Sequence, residues 1–172
     1  MGWFASTLSG LFERRPRILC DRHTWMSGVS ELHARTLDCS RESGAFLLGT
    51  VDAGGAKRIR DFVFYDDIDP MSLNSGIVHF HGACFSRLWE VCREKGYGVV
   101  ADVHVHPGSY AQSASDQADP AIPRVGHIAF ILPNFARGRM APGSIGMYEH
   151  LGNCRWMDHS GKATRFFKLT EG

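Results

Sequence analysis

A chain of 172 residues, 44% hydrophobic and 11% aromatic, can bury one core and has the composition of a single globular domain. Its 19 Lys and Arg stand against 18 Asp and Glu, and a net charge of +1 excludes the strongly basic balance of a nucleic-acid or anionic-membrane binder. Five cysteines (Cys20, Cys39, Cys84, Cys92, Cys154), odd in number and without C-x-x-C spacing, argue for reduced, mostly buried thiols in a cytoplasmic protein. No apolar run approaches the ~18 residues that would cross a bilayer.

Residues 1–16 read as an amphipathic segment. Trp3, Phe4, Leu8, Leu11 and Phe12 fall on one helical face, and the charges follow the apolar part, unlike a signal peptide. The rest, 17–172, reads as one domain. Arg17 to Cys20 suggests a short strand, and Val29 to Cys39 a helix with Val29, Leu32 and Leu37 on its apolar side and Ser27 or Ser30 as cap. Ala45 to Val51 reads as a buried strand, Asp52 to Ala56 as a hairpin turn, and Arg58 to Tyr65 as the returning strand. Asp66 to Gly76 is an acidic loop, read either as a substrate loop or as a solvated connection. Cys84 to Lys95 predicts a helix with Phe85, Leu88, Trp89 and Cys92 as its core stripe and Gly96 as C-cap. Val99, Val100 and Val103 then mark a buried strand. Pro120 and Pro123 cut short any helix starting at Ser113. Strands are expected over Gly126 to Leu132, Ser144 to His150, Asn153 to Asp158 and Thr164 to Leu169. This order implies an α/β domain of α+β type, a mixed β-sheet flanked by two or three helices.

The chemistry concentrates at the end of the Val99 strand. His104 and His106, two apart on a strand, share a face with roots roughly 7 Å apart. Both can therefore reach one metal ion at ~2.0–2.1 Å. Pro107 and Gly108 end the strand, and a polar loop leads to Ser113 and Asp116. Asp116 can add an oxygen ligand, with Asp119 as its rival, while Ser113 as N-cap and Asp116 in the first turn also suit a helix start. Three protein ligands with a fourth position left to water is the pattern of a catalytic zinc. Among nine histidines, His79 and His81 form a second H-x-H, but an amphipathic helix pattern follows it.

His104-Val-His106-Pro107 followed by Ser113-x-x-Asp116 resembles the JAMM motif of the MPN+ zinc metalloproteases, which include deubiquitinases and other isopeptidases. The loop from Pro107 to Gln112 is one residue shorter than that family's usual spacing. The family's upstream glutamate, in an E-x-x-G-x-L-x-G-like strand entry, is matched by Glu42-Ser-Gly44-Ala-Phe-Leu47-Leu-Gly49. The resemblance spans Ile18 to Lys168 and implies a JAMM/MPN, cytidine deaminase-like fold. It further implies one Zn2+ per chain held by His104, His106 and Asp116, and Glu42 as general base and then general acid. Ser113 would be an oxyanion donor. The implied substrate is an amide or isopeptide bond at the C-terminus of ubiquitin or a ubiquitin-like protein, or its conjugates. Stand-alone prokaryotic members work beside conjugation-system enzymes, some antiviral, or trim sulfur carriers; neither nucleic acid nor membrane is expected as a partner. The alternative is a non-catalytic MPN scaffold that binds protein partners, and the presence of Glu42 and all three ligands weighs against it.

Other histidines and acids are read more plainly. His127 is expected in the core or behind a ligand, Asp102 as a partner orienting a ligand histidine or as a solvated residue, and His150 and His159 at the surface.

Overall fold

The computed structural model describes residues 17–171, so the amphipathic segment 1–16 lies outside the described residues. In chain order the elements are β1 (Ile18–Asp21), α1 (Arg22–Ala34), β2 (Gly44–Val51), β3 (Lys57–Phe64), α2 (Tyr65–Ile68), α3 (Phe85–Lys95), β4 (Gly98–Val105) and α4 (Ala114–Ala118). They continue with β5 (Ile128–Leu132), β6 (Gly146–Gly152), β7 (Arg155–Asp158), α5 (Ala163–Phe166) and β8 (Phe167–Thr170). One mixed sheet orders the strands β7-β6-β5-β4-β2-β3-β1-β8. The β4–β5, β3–β1 and β1–β8 pairs are parallel and the others antiparallel.

The two long helices cover opposite faces. On one side Trp25, Val29 and Leu32 of α1 pack with Ala45, Leu47, Val103, Val105, Phe130 and Phe167. On the other, Leu88 and Cys92 of α3 pack with Phe46, Leu48, Val63, Tyr65 and Val99. Strand β2 alternates between the two cores, which is why it reads as a continuous apolar run rather than an alternating one. Gly49, near its end, allows β3 to come close: a Cβ there would collide with the Arg58 carbonyl oxygen.

Several expectations need correction. The first helix starts at Arg22, not Val29, because the Asp21 carboxylate accepts the Thr24 N–H (3.1 Å) and caps it. It ends at Ala34. Leu37, Asp38 and Cys39 adopt positive φ, and Leu37 is 58% exposed rather than on an apolar stripe. Trp89 stacks on Phe85 yet is 47% exposed, so the stripe of α3 is narrower than expected. The segment expected as a closing strand from Thr164 starts as one helical turn, α5, and only Phe167–Thr170 pairs with β1. The acidic loop opens with α2, and its charges are partly internal: Asp66 bridges to Arg35 (2.6 Å) and Arg41 (3.6 Å), and Asp69 is buried. All five cysteines are free, but only Cys20 and Cys92 are buried; Cys154 is exposed. Among the described residues, no helix is long and apolar enough to cross a membrane.

Strand β6 braces the loop that follows β4. The Tyr148 hydroxyl donates to the Tyr110 carbonyl (3.0 Å), and that carbonyl lies where a Cβ at Gly146 would meet it at 2.5 Å. Gly146→Ala must therefore displace the loop, and overpacking of this kind costs roughly 1–3 kcal/mol. Urea unfolding of the variant is expected to show that loss; unchanged stability would mean that the loop is not seated on β6.

Candidate metal centre

Strand β4 delivers the histidines. Val99 pairs with Leu48 and Ala101 with Leu47, so Val100 is an extra residue, a bulge. Beyond it Asp102, His104 and His106 face the α3 side, while Val103 and Val105 face α1. The His106 N–H donates to the Leu132 carbonyl (2.9 Å) and the His106 carbonyl accepts from the Phe135 N–H (2.8 Å), which fixes the backbone at the second histidine.

The loop 107–112 then turns the chain back, fastened by the Asn134 N–H to the Gly108 carbonyl (2.8 Å) and by Tyr148 to Tyr110. Ser113 caps α4 in a full capping box. The Asp116 N–H donates to Ser113 Oγ (3.1 Å), and the Ser113 N–H donates to Asp116 Oδ2 (2.6 Å). The helix is five residues long, as the two prolines predicted.

Asp116 is thereby aimed at both histidines. His104 Nε2 lies 3.3 Å from Asp116 Oδ1, and His106 Nε2 lies 3.3 Å from Asp116 Oδ2. The two Nε2 atoms are 2.9 Å apart. One donor atom from each of the three residues falls within 4.8 Å of the others. Two nitrogens bound to one tetrahedral zinc at ~2.0–2.1 Å would stand about 3.3 Å apart, so spacing and donor types both fit that ion. Asp119, the rival, is exposed and belongs to no such group among the described residues.

Burial opposes charge on His104, but the hydrogen-bonding contact and charge of Asp116 outweigh it and raise its pKa above the ordinary imidazole value. Burial likewise pushes the Asp116 pKa up, and the contacts with His104 and His106, the charge of His104 and the Ser113 N–H bring it well below the usual carboxylate range. Such mutual holding of protons is what a metal would displace.

Two cavities adjoin the group and share Ile77, Val78, Ser115 and Asp116. The smaller, about 300 Å³, is lined by His106, Ser113 and Glu42. The register puts Glu42 there: Gly44 pairs with His104, and the Val105 N–H donates to the Ser43 carbonyl (2.9 Å). The Glu42 carboxylate accepts the Val78 N–H (3.3 Å), which points it across the cavity. Ser113 Oγ accepts in its cap, leaving its own hydrogen to donate. All five expected site residues thus gather around these two cavities.

The larger cavity, about 410 Å³, is lined by His104, Asp102 and Tyr65. Asp102 is buried, but it does not bond a ligand histidine. Its carboxylate pairs with His127 Nε2 (2.5 Å) and accepts from the Tyr65 hydroxyl (3.4 Å). Burial, then the charge of Asp102, raises the Tyr65 pKa well above that of an ordinary phenol, so it stays a donor. His127 is fully buried, as expected. His150 is not at the surface: it pairs across from His127 at the foot of β5, is 3% exposed and packs against Trp156 with the rings tilted (centroids 4.8 Å apart). The alternation Gly146, Tyr148, His150 was the signal for this. His159 is half-buried, bonded to Glu149 (2.9 Å) and packed on Phe166. The second H-x-H is tied up differently, since His81 Nδ1 pairs with the buried Asp69 (2.6 Å).

The fold and the group define an α/β domain with a three-residue, two-nitrogen and one-carboxylate site at the end of a central strand. No family model matches the chain. A solution structure of a protein from Desulfitobacterium hafniense resembles it with a TM-score of 0.59 and 16% identity, over 90% of this chain and 94% of that one. A solution structure of a protein from Salinibacter ruber gives 0.48 and 16%, over 84% and 87%. At such identity the first likeness concerns the fold alone.

Elemental analysis is expected to find about one zinc per purified chain and none in His106→Ala; no zinc in folded wild type would overturn the site. The pH dependence follows from the two shifts. His104 has a raised folded pKa, so its pairing with Asp116 stabilises the metal-free protein at low pH and is lost as pH rises through that value. Asp116 has the opposite sign, its contribution being lost only in acid as pH falls through its depressed value. Zinc needs both imidazoles neutral. The gap in melting temperature between zinc-loaded and metal-free protein should therefore widen from about pH 6 to about pH 8; a constant gap would contradict this.

Proposed function

We propose that this chain is a JAMM/MPN-type zinc metalloprotease. It cleaves the isopeptide or peptide bond after the C-terminus of ubiquitin or a ubiquitin-like protein, in deconjugation or precursor processing. The observation that carries the reading is the convergence of His104, His106 and Asp116 with Glu42 and Ser113 on the wall of the adjoining cavity. The mixed sheet between α1 and α3, with the histidines at a central strand's end, is compatible with the JAMM, cytidine deaminase-like fold.

A zinc held by His104, His106 and Asp116 would polarise the scissile carbonyl and lower the pKa of a water toward ~7. Glu42 takes a proton from the attacking water and returns it to the leaving amine, as base and then acid. Its bond from the Val78 N–H holds one carboxylate oxygen and leaves the other for this work. Ser113 donates its hydroxyl hydrogen to the oxygen that gains charge when the carbonyl is attacked. Loss of one such donor costs roughly 3–4 kcal/mol of barrier. No thiol takes part, and Cys20, whose pKa burial pushes up to about 12, is a core residue.

Glu42→Gln separates this reading from a non-catalytic scaffold. The variant should keep about one zinc per chain and cleave a ubiquitin-like fusion at least roughly 100-fold more slowly than wild type. Undiminished turnover would remove Glu42 from its role. A zinc-loaded wild type that binds ubiquitin-like proteins and cleaves none of their fusions would favour the scaffold.

A further inference from the structure

The larger cavity has walls and a base of different character. Phe80, Phe85, Pro120, Pro123 and Trp156 form apolar and aromatic walls, and Asp102, 4% exposed, forms the base next to His104. Its volume of about 410 Å³ lies in the range of ligand clefts, roughly 300–1,000 Å³. No Lys or Arg is among its described lining residues. The titratable groups facing Asp102 there are Tyr65, His79, His104, Asp116 and Asp119.

Asp102 lines the cavity while bonded to two buried neighbours. His127 is fully buried, and its Nδ1 has no hydrogen-bond partner among the described residues. His127 Nε2 bonds Asp102 Oδ1 (2.5 Å). Tyr65 adds a neutral donor to Oδ2. The Asp102 carboxylate, held by these two neighbours, lines the cavity beside His104, and the aromatic walls favour a cation above it as well.

We propose that this cavity is a specificity subsite that takes a basic side chain, Lys or Arg, from the acyl side of the substrate, with Asp102 as its anchor. The acyl-side assignment rests on the metalloprotease reading: the leaving amine must reach Glu42, which lines the other cavity, so the Asp102 cavity lies on the opposite side of the scissile bond.

The test is binding of N-acetyl-argininamide against N-acetyl-citrullinamide, its uncharged counterpart of the same shape. Both are titrated into the zinc-loaded full chain and read on the Trp156 indole resonance. The arginine compound should bind about tenfold tighter, as charged hydrogen bonds allow. Asp102→Asn should abolish that ratio at wild-type zinc content, and Asp119→Asn at the exposed mouth should keep it. Equal binding of the two compounds by wild type overturns the proposal without any variant. Loss of the ratio in Asp119→Asn also overturns it, since the cation would then sit at the rim. Binding is read without turnover, so absence of hydrolysis or of zinc counts against the metalloprotease reading alone. A ratio of one in an enzyme that binds zinc and cleaves counts against the subsite alone.

Discussion

Strand β4 carries one residue more than the stretch of β2 it pairs with, and the position of that residue governs where the polar groups go. Val99 belongs to the core beneath α3. Strict alternation from Val99 would carry that side on to Ala101, Val103 and Val105, and would send Asp102, His104 and His106 under α1, among Trp25 and Phe130. Three polar side chains in that core would each lose hydration without a partner. The bulge at Val100 reverses the phase, so the valines fill the α1 core and the polar residues face the cavities.

Given that phase, Asp116 completes the group through an economy of contacts. A helix as short as α4 has little stability of its own. It is started by Ser113 and by the Asp116 carboxylate, whose Oδ2 receives the Ser113 N–H and lies 3.3 Å from His106. The helix start and the donor set are thus one arrangement, and the loop before it needs only six residues because strand β6 and the turn at Asn134 hold its carbonyls.

The sequence was informative where geometry is local. Two histidines two apart on a strand, a Ser-x-x-Asp at a helix start and a glutamate leading into a buried strand are short-range patterns, and their residues lie together. What it concealed depends on distant partners. Nothing in Gly98 to Val105 marks Val100 as the bulge, since a run of valines suits either phase. The start of α1 at Arg22 was hidden because Gly28 interrupts its apolar pattern. Gly28 is there because the Phe62 ring lies where a Cβ would be, 2.6 Å away. The roles of Asp102 and His127 depend on a pairing across 25 positions, and the burial of His150 on a strand that joins the sheet later still. Each of these is a tertiary choice overriding a local one.

The seating of the Tyr110 loop on β6 also orders events in time. Ser113 and Asp116 precede Gly146 and Tyr148 by some thirty positions, so a chain emerging from the ribosome presents the histidine motif before the strand that braces it exists. Until β6 has docked on β5, the loop lacks its support at Tyr110, and pairings of such separation form slowly. The donor group would then be assembled late, and metal captured by the nascent chain would have to rely on two histidines of one strand alone.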